Sequence, residues 1–196
     1  MLASALSSED PVVFFESQRL YDAVEQLRAG GVPADYYRLP MGEPDVKRAG
    51  RDLTILTIGP SLYPALAAAR ELETACGLSA EVIDARSLVP FNYEPVLQSV
   101  RKTGRILLVS EACERGGFLM TLAANITRFA FADLKAAPQV LGAPNWIVPG
   151  ADMESTYFPQ SGDIVDLATA AFYPAKATKR RGVRAASDAE LARFGL

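Results

Sequence analysis

The chain alternates short, uninterrupted apolar runs with longer stretches in which apolar residues recur at helical spacing. Four apolar runs predict strands covered on both faces, as in parallel sheets; they span residues 53–58, 80–83, 106–109 and 139–141. Four stretches predict helices; they span residues 62–76, 94–102, 119–131 and a last one from 161 or 163 to just before Pro174. This order predicts a three-layer α/β/α sandwich with a mostly parallel sheet.

Polar residues directly follow two of the predicted strands. Asp84-Ala85-Arg86 follows the second strand, and Ser110-Glu111 follows the third. The carboxyl ends of parallel strands meet at one edge of a sheet, where α/β proteins place functional groups. An arginine between two carboxylates predicts an ion-pair network that joins this domain to a neighbour, or a small-molecule site. We favour the interface interpretation for Asp84, Arg86 and Glu111.

A glycine pair marks the junction between the third strand and the next helix. Arg115-Gly116-Gly117 could present helix N–H groups to an anion. The same residues are also typical of a tight turn, because glycine allows positive φ and close backbone approach. We therefore include Arg115, Gly116 and Gly117 in the candidate interface or anion site, with the turn as the favoured interpretation.

The helix that follows Gly117 is apolar over much of its circumference. Leu122, Ile126 and Phe129 recur at helical spacing, and such a helix must be covered on more than its sheet-facing side. These three residues are the predicted face of a homodimer. The alternative is that the C-terminal tail folds back over the helix, with Leu191 and Phe194 as the cover.

The rest of the chain predicts three further parts. Residues 1–28 read as the tail of a preceding domain, with a helix-like start, a buried strand at 12–15 and a helix from residue 17 to 28. Residues 29–51 predict a linker, extended and rich in Pro and Gly from residue 36. The compact domain is expected at residues 52–174. Residues 175–196 predict a basic tail with a short helix opened by a capping box.

Composition narrows the possible functions. The 196 residues support one core, and 49% hydrophobic with 22% charged residues is ordinary for a soluble α/β domain. The net charge of −3 is not the overall positive charge that is typical of proteins that bind nucleic acid. The sequence shows no membrane span and no signal peptide, so we expect a cytoplasmic protein. The chain has no histidine, which excludes nucleophilic schemes that use a histidine of this chain.

Several motifs resemble one family. VIDARSLVPFNYEPV followed by TGRILLVSEACERGGF resembles the C-terminal domain of the β component (E1β) of thiamine-diphosphate-dependent 2-oxo acid dehydrogenases. That domain belongs to the transketolase C-terminal family. Upstream, PVVFFESQRLYD resembles the last strand of the preceding pyrimidine-binding domain. Downstream, GAPNWIVPG and YFPQSGDIVDLA resemble the family's closing strand and helix.

The resemblance implies a function for the complete enzyme. Such enzymes decarboxylate a 2-oxo acid oxidatively on thiamine diphosphate with Mg²⁺ and pass the acyl group to a lipoyl E2 component. Their C-terminal domain mainly supports subunit assembly, so the expected partners are a second copy, other E1 domains or subunits, and E2. The pyrophosphate–Mg²⁺ motif, the activating glutamate and the catalytic histidines are missing here. We therefore expect a chain that binds no cofactor or metal, has no catalytic residues and is inactive alone.

Departures from the common pattern keep other hypotheses open. Ser110-Glu111 stands where many members have His-Glu, Leu119-Met120-Thr121 replaces Gly-Ala-Glu, and Asn92 replaces a frequent Asp. The forms SEACERGGFL and GAPNWI resemble members in which the α and β components are fused into one long chain. One alternative is a stand-alone assembly or regulatory module that keeps the fold without thiamine chemistry. Another is a small-anion-binding α/β domain that uses the Asp84, Arg86 and Glu111 edge.

Overall fold

Five strands form one sheet in the computed structural model, which describes residues 1–21 and 33–177. The strands lie in the order β1-β3-β2-β4-β5, and β1 is antiparallel to β3 while the other neighbours are parallel. The strands are β1 Asp45–Arg48, β2 Leu53–Thr57, β3 Ala80–Asp84, β4 Ile106–Cys113 and β5 Gln139–Ala143. The predicted mostly parallel sheet is confirmed.

Helices cover both faces of the sheet. The described α-helices are α1 Leu2–Leu6, α2 Leu62–Cys76, α3 Glu94–Thr103, α4 Phe118–Ala130, α5 Glu154–Tyr157 and α6 Ser161–Phe172, and four of them pack on the sheet. One apolar cluster joins the sheet to α2 and α6, and a second joins its other face to α3 and α4. The three-layer α/β/α sandwich is therefore confirmed. Within the described residues, no helix is both long and apolar enough to cross a membrane.

The central strand shows why the apolar runs have no polar alternation. All five residues of β2 are buried, because helices lie above and below it. Its one polar contact with α3 is internally satisfied: the Thr54 hydroxyl lies 2.6 Å from Ser99 Oγ and 2.9 Å from Thr103 Oγ1. Buried hydroxyls without partners would destabilise the fold, so this cluster fixes the position of α3 on the sheet.

The N-terminal segment differs from its prediction. The helix-like start is confirmed as α1, but residues 12–15 form no strand, and Val13 and Phe15 are 78% and 85% exposed. A strand needs a neighbour to pair with, and in the described structure this segment lies apart from the sheet. Of the helix predicted at 17–28, a 3₁₀ turn at Gln18–Leu20 is described, and residues 22–28 lie outside the described ranges.

The predicted linker also contains regular structure. Strand β1 lies inside residues 29–51 and pairs with β3 through Asp45↔Asp84 and Val46↔Ile83. The sheet therefore begins before residue 52, where the compact domain was expected to start. Of the predicted basic tail, residues 175 and 176 belong to a 3₁₀ turn at Pro174–Lys176, and residues 178–196, with the predicted short helix, lie outside the described ranges.

Candidate functional site at the carboxyl edge of the sheet

The first group of charged residues at this edge comprises Asp45, Lys47, Asp84 and Arg86, which we call the Asp84 corner. Asp84 ends β3, and its Oδ1 accepts the Arg86 backbone N–H at 3.1 Å. Burial raises the pKa of Asp84, although that hydrogen bond and the charges of Lys47 and Arg86 act in the opposite direction. Arg86 has φ 57°, so the chain turns sharply directly after the strand.

The Arg86 side chain pairs with the neighbouring strand. Its Nη2 lies 2.5 Å from Asp45 Oδ2, and Lys47 Nζ lies 3.0 Å from the same oxygen. Burial alone would raise the pKa of Asp45, but the Lys47 hydrogen bond and the two positive charges outweigh it and hold that pKa below its ordinary value. Because Asp45 pairs with Asp84 in the β1–β3 ladder, this ion pair closes the corner within the domain.

The second group comprises Arg19, Glu111, Glu154 and Phe158, which we call the Glu111 corner. Arg19 Nη1 contacts Glu111 Oε1 in β4, and its Nε lies 3.4 Å from Glu154 Oε2 in α5. The Arg19 guanidinium also lies 4.9 Å from the centre of the Phe158 ring. Burial raises the pKa of Glu111, and the Glu154 charge adds to that rise while Arg19 opposes it.

The structure thus divides the predicted three-residue network into two. Asp84, Arg86 and Glu111 all lie at the carboxyl edge, as expected from the parallel strands. However, Arg86 pairs with Asp45 and Glu111 pairs with Arg19. An arginine between two carboxylates does occur, but it is Arg19.

The glycine junction has the geometry of a turn. Gly116 has φ 69°, and Arg115 is exposed beside it. A Cβ at Gly117 would lie 2.2 Å from the Cys113 carbonyl oxygen, so only glycine allows this close approach between the end of β4 and the start of α4. The turn requirement explains both glycines, and the anion-binding interpretation of Arg115, Gly116 and Gly117 stays a prediction.

Only one of the three residues of the predicted dimer face is exposed. Leu122 and Ile126 are fully buried in the cluster between α4 and the sheet, so they cannot line an exposed interface. Phe129 is 50% exposed and makes an edge contact with Tyr93 at 5.4 Å between ring centres. Of the three predicted residues, Phe129 alone presents a surface to a partner.

An open groove of about 390 Å³ lies beside the Glu111 corner. Arg19 and Leu20 form one wall, and the other walls come mainly from the start of α2, the start of α6 and the residues just before each of them. The remaining lining residues are Pro60, Tyr63, Pro64, Ala67, Glu111, Pro159, Gln160 and Ser161. The N-terminal segment therefore contributes directly to the surface at the carboxyl edge.

Sequence reasoning missed five members of the two corners, which are Arg19, Asp45, Lys47, Glu154 and Phe158. Arg19 lies within PVVFFESQRLYD, which carries the family resemblance, but its partner Glu111 is 92 residues away. Asp45 lies in a four-residue strand with no apolar run. No local pattern identifies either pairing, because each depends on the path of the folded chain.

Comparisons with known proteins agree with this fold. The family described as transketolase, C-terminal domain, matches residues 42–164. The pyruvate dehydrogenase E1 component subunit beta of Bacillus subtilis is 38% identical over 168 residues, which are 86% of this chain and 50% of that protein. The 2-oxoisovalerate dehydrogenase subunit beta of the same organism is 40% identical over 169 residues, again 86% of this chain and 50% of the relative.

A solved structure is also similar. A split gene transketolase, described as an inactive beta4 tetramer, superposes with a TM-score of 0.56 at 29% identity, over 72% of this chain and 46% of that one. The chain spans about half the length of the curated relatives it matches. Because the family match covers more than half of the sequence, the chain belongs to the transketolase C-terminal domain family, in the form found in E1 beta-like proteins.

Proposed function

We propose that the chain is the C-terminal domain of an E1 component of a 2-oxo acid dehydrogenase and supports assembly of that enzyme. The alignment with two E1 beta subunits, over 86% of this chain but only 50% of each relative, carries the proposal. The complete enzyme would decarboxylate a 2-oxo acid oxidatively and transfer the acyl group to a lipoyl E2 component, as the family resemblance implies. We expect the complete enzyme to be cytoplasmic.

The residues of this chain do not fit the thiamine diphosphate and Mg²⁺ that the family implies. The sequence contains no histidine. In the ranges 1–21 and 33–177, no group of three or more His, Cys, Asp or Glu side chains could hold a metal ion. At the two corners of the carboxyl edge, the carboxylates pair with arginine side chains of the same chain. These pairs join parts of the protein to each other and do not form a metal site. We therefore assign the cofactor to other parts of the complete enzyme.

Reconstitution tests the proposed function. The chain is mixed or co-expressed with the pyrophosphate- and pyrimidine-binding domains of an E1 enzyme, and 2-oxo acid decarboxylation is measured with pyruvate and with 2-oxoisovalerate. Activity should appear in the mixture and be undetectable for either part alone. A mixture that forms a stable complex yet stays inactive with every 2-oxo acid tested would contradict the proposed function.

Direct binding gives a second test. Isothermal titration of the chain alone with thiamine diphosphate and Mg²⁺ should show no binding, because the described residues offer no pyrophosphate–metal site. Micromolar affinity would contradict the assignment of the cofactor to other domains.

We also propose that the chain pairs with a second copy through the surface around Phe129. Phe129 and Phe131 are 50% and 77% exposed at the end of α4. Exposed aromatic side chains of this size are typical of interfaces. The similar split gene transketolase is a beta4 tetramer, which supports self-association of an isolated part of such an enzyme.

Sedimentation equilibrium with a charge substitution tests this pairing. Phe129→Glu should shift the chain from dimer toward monomer at tens of micromolar. Ala124→Glu is the control, because Ala124 is exposed on the same helix but lies about 140° around its axis from Phe129. A monomeric wild-type chain, or a dimer equally indifferent to both substitutions, would contradict the proposed face.

A further inference from the structure

Arg19 connects the N-terminal segment to the domain through its side chain. It lies in the 3₁₀ turn Gln18–Leu20, where the Leu20 N–H donates to the Ser17 carbonyl at 3.0 Å and the Tyr21 N–H to the Gln18 carbonyl at 3.2 Å. Within the described residues, these backbone hydrogen bonds and the one that the Tyr21 hydroxyl donates to Glu16 Oε2 at 3.0 Å are all local to the turn. The long-range contacts of this turn are therefore the feature that can hold it in place.

The contacts of Arg19 reach two separate elements of the domain. Glu111 belongs to β4, and Glu154 belongs to α5. A guanidinium presents five donors in a fixed plane, so one arginine can bind two carboxylates at once. A lysine at this position could not reproduce both contacts with the same geometry.

The aromatic surface under Arg19 is anchored to the domain. The Phe158 ring packs edge-on against Tyr157, with ring centres 5.0 Å apart. The Tyr157 hydroxyl in turn hydrogen-bonds the carbonyl groups of Pro144 and Trp146, at 3.1 and 3.0 Å. Because Phe158 is held in this way, its cation–π contact ties Arg19 to a fixed part of the domain.

The charge on Glu111 is unfavourable for the domain on its own. Burial raises the pKa of its carboxyl group, and the neighbouring Glu154 charge raises it further. Arg19 is the group that opposes both effects. The carboxylate therefore gains its stabilisation from the N-terminal segment, whereas Asp45 at the other corner gains it from Lys47 in β1 and from Arg86, two residues after the end of β3.

We infer that Arg19 is a positioning residue, whose bridge to Glu111 and Glu154 over Phe158 latches residues 17–21 onto the carboxyl edge of the sheet. The latch fixes the position of residues 17–21 relative to the carboxyl edge, and it sets one wall of the adjacent groove through Arg19 and Leu20. This role concerns contacts within the chain and holds whether or not the proposed enzymatic function is correct.

Hydrogen–deuterium exchange of the whole chain tests the latch. In Arg19→Ala, the amides of residues 17–21 should exchange about three- to tenfold faster, the size expected for a partly exposed ion pair plus a cation–π contact. The thermal unfolding midpoint should fall only slightly, because the turn lies outside the core and the Glu111 carboxylate that loses its partner is partly exposed. Arg70→Ala is the matched control, since Arg70 is an exposed arginine on α2.

Three further variants separate the latch from a general structural role. Arg19→Lys should retain only part of the protection at residues 17–21. The double variant Arg19→Glu with Glu111→Arg should protect these amides better than either of its two single substitutions. Glu111→Gln keeps the shape of the side chain, so it gives the same readout if Arg19→Ala fails to fold.

Three results would overturn the inference. The first is unchanged exchange at residues 17–21 in both Arg19→Ala and Glu111→Gln. The second is an equal acceleration in Arg70→Ala. The third is a loss of protection that spreads over the sheet with a parallel fall in the unfolding midpoint, which would show that Arg19 supports the fold rather than the placement of the segment.

Discussion

The Asp84 and Glu111 corners are built from the same residue types but are held together differently. Each places one arginine against carboxylates at the carboxyl edge of the sheet. At the Asp84 corner, Asp45 and Asp84 are already neighbours through the backbone pairing of the β1–β3 ladder. At the Glu111 corner, Arg19 comes from a segment outside the sheet, and side chains alone make the connection.

The arginine side chains of the two corners also differ in how exposed they are. Arg86 and Asp45 have side chains that are 19% and 18% exposed, whereas Arg19 is 38% exposed. A pair fixed by backbone pairing and shielded from water interacts more strongly than one that must order its own side chains. The Asp84 corner should therefore contribute to the stability of the domain, and the Glu111 corner to the placement of a neighbouring segment.

The largest expected effects come from the layer beneath both corners. Ile83 precedes Asp84 on one face of the sheet, and Val109 precedes Ser110 on the other; both side chains are fully buried. Ile83→Ala should lower the free energy of unfolding by about 2–5 kcal/mol, and Val109→Ala by about 2 kcal/mol. Urea denaturation measures both, with exposed Val148→Ala as the control. A cost for Ile83→Ala no larger than that of the control would contradict the full burial of Ile83 beneath the Asp84 corner.

Substitutions of Arg86 separate side chain from backbone at the Asp84 corner. Arg86→Ala should lower the free energy of unfolding by about 1–3 kcal/mol, because it removes a charged hydrogen bond to Asp45. Arg86→Gly removes the same contact but relieves the positive φ, so it should be more stable than Arg86→Ala by about 1 kcal/mol. Urea denaturation of both variants gives the difference. A glycine variant less stable than the alanine variant would contradict the positive φ in solution.

The smallest effects are opposite pH dependences at the two corners. The pKa of Asp45 is lowered in the folded state, so its contribution is present above the ordinary carboxyl pKa and is lost as pH falls through the lowered value. The pKa of Glu111 is raised, so its contribution is present at low pH and is lost as pH rises through the raised value.

Two neutral variants measure this difference by urea denaturation between acidic and neutral pH. At neutral pH, Asp45→Asn should be less stable than the wild type and Glu111→Gln slightly more stable, each by no more than about 1 kcal/mol for such partly exposed groups. Both differences should shrink as the pH falls. Changes of the same sign in the two variants would remove the electrostatic distinction between the corners.

The sequence predicted the parts of the fold that depend on local patterns. The apolar runs located β2, β3 and β4, and helix α2 has the predicted bounds. Strand β4 continues to Cys113, beyond the predicted end, because pairing with β5 resumes after an irregularity at the polar residues. Strand β1 was missed because four residues, three of them charged, give no apolar signal.

Contacts between residues that lie far apart in the sequence could not be predicted from local patterns. Strand direction placed Asp84 and Glu111 at the same edge, but the arginine that reaches Glu111 depends on the path of residues 17–21. Helical spacing found the apolar stripe of α4, yet it cannot tell which side the sheet covers. Leu122 and Ile126 therefore appeared to be a dimer face although they face the core.

The antiparallel strand β1 also determines how the sheet ends. Without it, the backbone of β3 would present an open row of hydrogen-bonding groups to any other extended chain. β1 covers that row with only four residues, carries Asp45, Lys47 and Arg48, and has a register irregularity between Val46 and Arg48. A short, charged and irregular border is a poor template for further strands. The sheet is thereby protected against extension from one molecule to the next through this side.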